Sequence, residues 1–196
     1  MNRIIVDTND LEDDYSNNSR RDFLKKSLLL GGGLALGSDE LFARRSHKRA
    51  LHLHSPHTGQ SIYTTYFDGY RYNITSLFKI DRLMMDFRAW QIARMDLKLL
   101  NLLYNIQSYV GHHHKIDIIS GYRSPSTNRY LRRHSRGVAK HSYHMKAMAA
   151  DIHISGVRLH KLRDIAKGMG LGGVGYYPRS NFVHIDVGPV RYWRRG

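Results

Sequence analysis

Apolar and polar residues alternate in Leu51-His52-Leu53-His54 and again from Ser61 to Phe67, the period of two expected of half-buried strands. Turn-forming residues around Pro56 to Gly59 separate them and predict a hairpin, and Asp68-Gly69 predicts a second tight turn. The spacing then becomes helical. Leu83, Phe87 and Trp90 mark a helix over 81–90, and Leu99, Leu100, Leu103, Ile106 and Val110 mark another over 96–110. Each begins at an aspartate suited to capping a helix. Met84, Met85 and Met95 fall in these stripes as packing residues, and no phosphate-binding glycine pattern precedes either helix.

Ile116 to Ser120 reads as a buried strand that leaves into a turn at Gly121-Tyr122-Arg123-Ser124-Pro125. Two further strands carry polar groups on one face. In Asp151-Ile152-His153-Ile154 the period of two puts Asp151 and His153 opposite the isoleucines, and in Phe182 to Val187 it puts His184 and Asp186 opposite Val183, Ile185 and Val187. One face packs the core while the other meets a cleft. A carboxylate among isoleucines is costly to bury unless it is paired or holds a metal.

The 196 residues, 41% hydrophobic, suffice for one core. With no cysteine there are no disulfides, thiolate ligands, cysteine nucleophile or lipoprotein attachment point. The net charge of +15 is unevenly spread: 26 of the 31 basic and 8 of the 16 acidic residues follow position 43, so that part carries +18. Those eight acids are all aspartate, which excludes the glutamate base of HExxH proteases. The run Arg129 to Arg136 is either a polyanion-binding strip or the solvated face of a short helix.

Ser19-Arg20-Arg21-Asp22-Phe23-Leu24-Lys25 resembles a twin-arginine export signal. The apolar run that follows, Leu28 to Leu36, is shorter than the ~20 residues of a comfortable membrane span. Residues 1–43 therefore read as a Tat-type leader and 44–196 as the functional domain, starting with a basic linker at Arg44 to Lys48. The expected location is the periplasm or cell envelope, with no stable membrane span in the mature protein. Export makes the anionic polymers and carboxylate-rich peptides of an envelope the expected partner of a basic surface, in place of nucleic acid. A monomer is expected.

His144, Asp151 and His184 are the candidate metal ligands. Two neutral imidazoles and a carboxylate suit Zn²⁺, and three protein ligands leave a fourth position for a water whose lowered pKa makes it a nucleophile. His52 and His54 share a strand face and, with His57, are assigned to solvent. Arg123, at the end of a buried strand, either presents a cation to the site or forms a surface salt bridge.

His144 to Asp151 is similar to the His-x-x-Gly-x-Ala-x-Asp signature of the D-alanyl-D-alanine metallopeptidases, a superfamily that includes lysostaphin-type enzymes and the hedgehog domain; Ser142 fits its preceding serine. Ser120 to Pro125, Gly137 to Lys140, Ser142 to His144 and Gly172 to Asp186 resemble more closely the YcbK branch of murein endopeptidases, over roughly residues 50–194. The resemblance implies an α+β domain with helices around a small antiparallel sheet and a Zn²⁺ on His144, Asp151 and His184. It also implies cleavage of amide cross-links between peptidoglycan stem peptides, diaminopimelate–diaminopimelate links among them, with Arg123 facing the substrate to stabilise the oxyanion.

Two positions depart from the wider superfamily. Ala147 replaces a glycine, and Asn181 stands where D-alanyl-D-alanine dipeptidases carry their glutamate base. Asp186 is then either the base or the group that orients a histidine ligand, with His141 and His153 in reserve. Tyr143, Tyr176, Tyr177 and the glycines at 170, 172, 173 and 175 are candidates for the groove and its loop. The alternatives are a D-alanyl-D-alanine carboxypeptidase and a catalytically inactive zinc-containing wall-binding domain.

Overall fold

The computed structural model describes residues 47–135 and 138–195; the segment 1–43 read as a Tat-type leader, most of the stretch read as a basic linker, Arg136, Gly137 and Gly196 lie outside the described residues. In chain order the elements are β1 (Arg49–His54), β2 (Ser61–Phe67), α1 (Ile74–Leu83), α2 (Leu97–Val110), β3 (Ile116–Ser120) and α3 (Pro125–His134). A 3₁₀ turn (Tyr143–Lys146), β4 (Ala149–Ile154), α4 (Leu159–Met169), β5 (Gly173–Tyr177), β6 (Phe182–Asp186) and β7 (Arg191–Arg194) complete them.

All the strands join one seven-stranded sheet in the order β2-β1-β3-β4-β6-β5-β7. The α+β expectation holds, but the sheet is mixed and larger than the small antiparallel one anticipated. β1 and β2 form the hairpin expected around Pro56 to Gly59. The β1–β3 and β5–β7 pairs are parallel. Local alternation identifies strands but not which distant strands lie side by side; a parallel neighbour needs a crossover, supplied for β1 and β3 by a connection containing α2.

α2 packs on β1, and α4 on β4, β5 and β6. Leu51, Leu53, Ile116, Ile118, Ile152, Ile154, Val183 and Ile185 form the buried side of the sheet. The alternate positions His54, Asp117 and His153 are only partly buried, and Asp151, His184 and Asp186 lie under the site. Among the described residues no helix is long and apolar enough to cross a membrane.

The helix expected over 81–90 is displaced. It runs from Ile74 to Leu83, capped by Asn73, whose side chain accepts from the Ser76 N–H. The apolar stripe continues to Trp90, but the Met84 carbonyl is taken by the Tyr122 N–H, and Asp86 Oδ1 accepts from the Arg88 and Ala89 N–H groups, turning the chain. The second helix starts as expected: Asp96 caps α2 by accepting from the Lys98 N–H. Asp68 likewise builds a tight turn, accepting from the Tyr70 and Arg71 N–H groups.

Asp81, read as a helix start, is instead buried in the last turn of α1, where it accepts from the Met95 N–H at 2.9 Å. Burial pushes its carboxyl from 3.8 up to about 6, against the opposing pull of that N–H and of Arg94. The native state therefore holds the proton more tightly than the unfolded chain, so this group favours folding below about pH 4 and loses that contribution as pH rises through 6. Asp81→Asn keeps an acceptor for Met95 and removes the charge. Thermal denaturation is expected to show the variant about 5 °C more stable at pH 8 and no different near pH 4; equal melting points at pH 8 would contradict the assignment.

Candidate metal centre

Adjacent antiparallel strands bring the candidate ligands together. Asp151 on β4 is directly paired with His184 on β6. The register of β3 on β4 shifts between Ile118 and Ser120, a bulge that brings Ser120 opposite Asp151. His144 reaches the same place from the 3₁₀ turn, where the Ser142 hydroxyl accepts from the His144 N–H. That turn ends at Ala147 with φ 55, the left-handed region; the glycine of the wider signature thus answers a backbone requirement that alanine meets here under strain.

His144 Nε2, Asp151 Oδ1 and His184 Nδ1 form a triangle with sides of 3.2 Å between the imidazoles, 2.9 Å from His184 to Asp151 and 3.3 Å from His144 to Asp151. The outward nitrogens fix both tautomers. His144 Nδ1 lies 2.7 Å from the Gly121 carbonyl, and His184 Nε2 lies 3.0 Å from Asp186 Oδ2, so each donates its proton away from the triangle. With both rings neutral three lone pairs converge, an arrangement that a metal cation at the centre, or a proton on His184, relieves. A tetrahedral ion with bonds of ~2.0–2.1 Å has ligand atoms ~3.3 Å apart, close to what these residues present.

The electrostatics agree. Burial lowers His144 and keeps it neutral, the ligating form. For Asp151 burial opposes ionisation, but His144 and His184 outweigh it and hold the carboxyl far below the usual range. Burial also opposes charge on His184, yet Asp151 and Asp186 raise it; the field that favours a proton on this ring favours a metal cation at the same point.

Arg123 stands beside the triangle. Its Nη2 donates to Ser120 Oγ at 3.0 Å and to Asp151 Oδ2 at 3.1 Å, while its buried Nε has no hydrogen-bond partner. Gly121, two residues earlier, is required because a Cβ there would overlap the Met84 carbonyl. Asp186 is fully enclosed, and its carboxylate accepts from the His184 ring, the Gly173 and Gly188 N–H groups and both Nη of Arg191.

A cavity of about 580 Å³ covers the triangle. Its lining includes Arg123, His141, Tyr143, Tyr177, Phe182, Arg191, Trp193 and Arg195, and Asp151 is the only carboxylate among the lining residues. His141 is exposed on the rim. His153 is not in the lining; it and His54 flank Asp117 at 3.3 and 2.7 Å. Asn181 is exposed in the β5–β6 turn at φ 54, a conformation asparagine tolerates better than most residues. Of the basic run, Arg129, Arg132, Arg133 and His134 are exposed on α3, the last three in its final turn.

Sequence reasoning missed Arg191 and Trp193 and took Gly173 and Gly175 for a loop, whereas both glycines lie in β5. A Cβ on Gly175 would come within 2.5 Å of the Trp193 ring, and one on Gly173 within 2.5 Å of Arg191 Nη1. Glycines alternating in Gly173-Val174-Gly175 were the available signal that large side chains cross that face.

Residues 43–193 match the family model described as peptidoglycan L,D-endopeptidase MepK. The peptidoglycan L,D-endopeptidase MepK of Escherichia coli K12 is 47% identical over 175 residues, covering 86% of this chain and 96% of its own, and that of Shigella flexneri aligns equally well. A Haemophilus influenzae relative is 42% identical over 177 residues, covering 87% and 95%. No solved structure matched. The chain belongs to the MepK family of peptidoglycan L,D-endopeptidases.

Proposed function

We propose that this protein is a zinc-dependent murein endopeptidase that cuts amide cross-links between stem peptides. The converging lone pairs of His144, Asp151 and His184 carry the reading, and family membership supports the reaction class. An L,D specificity like that named for the relatives favours the direct diaminopimelate–diaminopimelate link, which joins an L-centre to a D-centre, over the D-alanyl link, which joins two D-centres. A cavity rich in arginine and poor in carboxylate suits the free carboxylates of such peptides. The Tat-type leader at 1–43 would deliver the domain to the periplasm; changing Arg20 and Arg21 to lysine and fractionating cells tests this.

His144, Asp151 and His184 would hold the zinc ion, which when bound supplies Lewis acidity and a water of lowered pKa. Arg123, anchored through Nη2, lines the cavity, where its guanidinium would meet an oxyanion. Asp186 serves as the orienter of His184, since five hydrogen bonds occupy its enclosed carboxylate. His141, at the rim and without a hydrogen-bond partner among the described residues, is the proton acceptor we favour.

Purified 3→3 and 4→3 cross-linked muropeptide dimers, incubated with zinc-loaded protein and followed by chromatography and mass analysis, test the proposal. Conversion of the 3→3 dimer to monomers, abolished by EDTA, is expected. Release of the terminal D-alanine from a pentapeptide monomer, with both dimers left intact, identifies the D-alanyl-D-alanine carboxypeptidase alternative, and bound zinc without any product identifies the binding-domain alternative.

A further inference from the structure

We propose that Arg191 is the positioning residue that keeps His184 in its ligating orientation, acting through Asp186; the inference rests on the metal-centre reading. Arg191 Nη1 donates to Asp186 Oδ1 at 3.0 Å and Nη2 donates to Oδ2 at 2.7 Å, the two-point fork that fixes the plane of a carboxylate. The fixed Oδ2 receives the His184 Nε2–H at 3.0 Å, which leaves Nδ1 as the lone pair directed 2.9 Å from Asp151 and 3.2 Å from His144. Arg191 is therefore two hydrogen bonds from the metal position and touches neither metal nor substrate in this role.

The surroundings are built around that fork. The guanidinium carbon lies 5.1 Å from the ring centroids of both Tyr143 and Trp193. Trp193 in turn packs on His184, with centroids 5.2 Å apart, and its indole N–H donates to the Tyr177 hydroxyl. Three glycines clear the space. A Cβ on Gly173 would sit 2.5 Å from both Arg191 Nη1 and Asp186 Oδ2, one on Gly175 would enter the Trp193 ring, and one on Gly188 would enter the Tyr143 ring. Arg191 and Trp193 both come from β7, an edge strand of four residues. The final strand thus helps to build the metal centre from outside its ligand set.

The fork distinguishes geometry from charge, because lysine supplies the cation but cannot bridge both oxygens. Zinc affinity by competition with a chromophoric chelator, and the visible spectrum of the Co²⁺-substituted protein, read the effect without relying on activity. Arg191→Ala is expected to weaken zinc binding about 10- to 100-fold and to shift the Co²⁺ bands. Because the Arg191 side chain is 41% exposed, millimolar methylguanidinium is expected to restore part of the affinity. Arg191→Lys, the variant to rely on should the alanine form fail to fold, is expected to remain at least about fivefold weak. Gly173→Ala, whose Cβ would press on both members of the fork while Arg191 itself is kept, is expected to reproduce the defect.

Zinc affinity within about twofold of wild type in the folded Arg191 variants would overturn this inference alone. A wild-type chain that binds no zinc would overturn the metal-centre reading, and this inference with it.

Discussion

His144→Ala is expected to drop bound zinc from about one equivalent per chain to a small fraction and to slow muropeptide cleavage at least ~10³-fold, because two protein donors remain where a catalytic zinc takes three. The loss has a structural side. His144 is 2% exposed and its Nδ1–H satisfies the Gly121 carbonyl at 2.7 Å, so truncation leaves that oxygen without a partner in a buried place. A destabilisation of about 1–3 kcal/mol follows from the unmade hydrogen bond. His144→Gln offers polar atoms of similar reach and separates the two effects: it should recover much of the stability and little of the cleavage. Metal analysis, thermal denaturation and dimer digestion on the same preparations check all three, and cleavage within tenfold of wild type would remove His144 from the ligand set.

Arg123→Ala is expected to leave zinc near stoichiometric and to lower kcat about 10²- to 10³-fold, or roughly 2.7–4 kcal/mol of transition-state stabilisation, the usual cost of removing one oxyanion donor. The argument is positional. Ser120 and Asp151 anchor Nη2, so the side chain is held in place before substrate arrives and little reorganisation is needed as charge develops. Arg123→Lys should recover only part of the rate, since one ammonium cannot keep both the anchor and the free donor. Steady-state kinetics on the 3→3 dimer, with metal content measured alongside, distinguish the roles. A parallel loss of zinc and rate would make Arg123 a support for Asp151 instead.

Two corners of the candidate triangle were legible because each breaks a strong pattern. Asp151 interrupts a run of small apolar residues and isoleucines, and His184 sits between Val183 and Ile185; period two then places both on one face. Strand adjacency was not legible, so the patterning of five segments could not disclose that β3 bulges against β4 or that β7 lies beside β5. The Arg191–Trp193 assembly was hidden for a related reason. Arg191-Tyr192-Trp193-Arg194 has no apolar alternation because it is an edge strand, and Gly173 and Gly175 carry no side chain to announce β5.

Asn181 and Ala147 show how a signature position can answer to backbone as well as chemistry. Both adopt positive φ, Asn181 in an exposed hairpin turn and Ala147 at the end of the 3₁₀ turn. The base that a glutamate provides elsewhere is therefore sought among groups lining the cavity, where His141 lies and His153 does not.

Diffraction data collected on either side of the zinc absorption edge, from crystals grown without chelator, test the central claim most directly. One anomalous peak is expected, about 2.0–2.1 Å from His144 Nε2, Asp151 Oδ1 and His184 Nδ1. A zinc-replete protein whose peak lies elsewhere, or whose triangle shows no anomalous signal, would contradict the account.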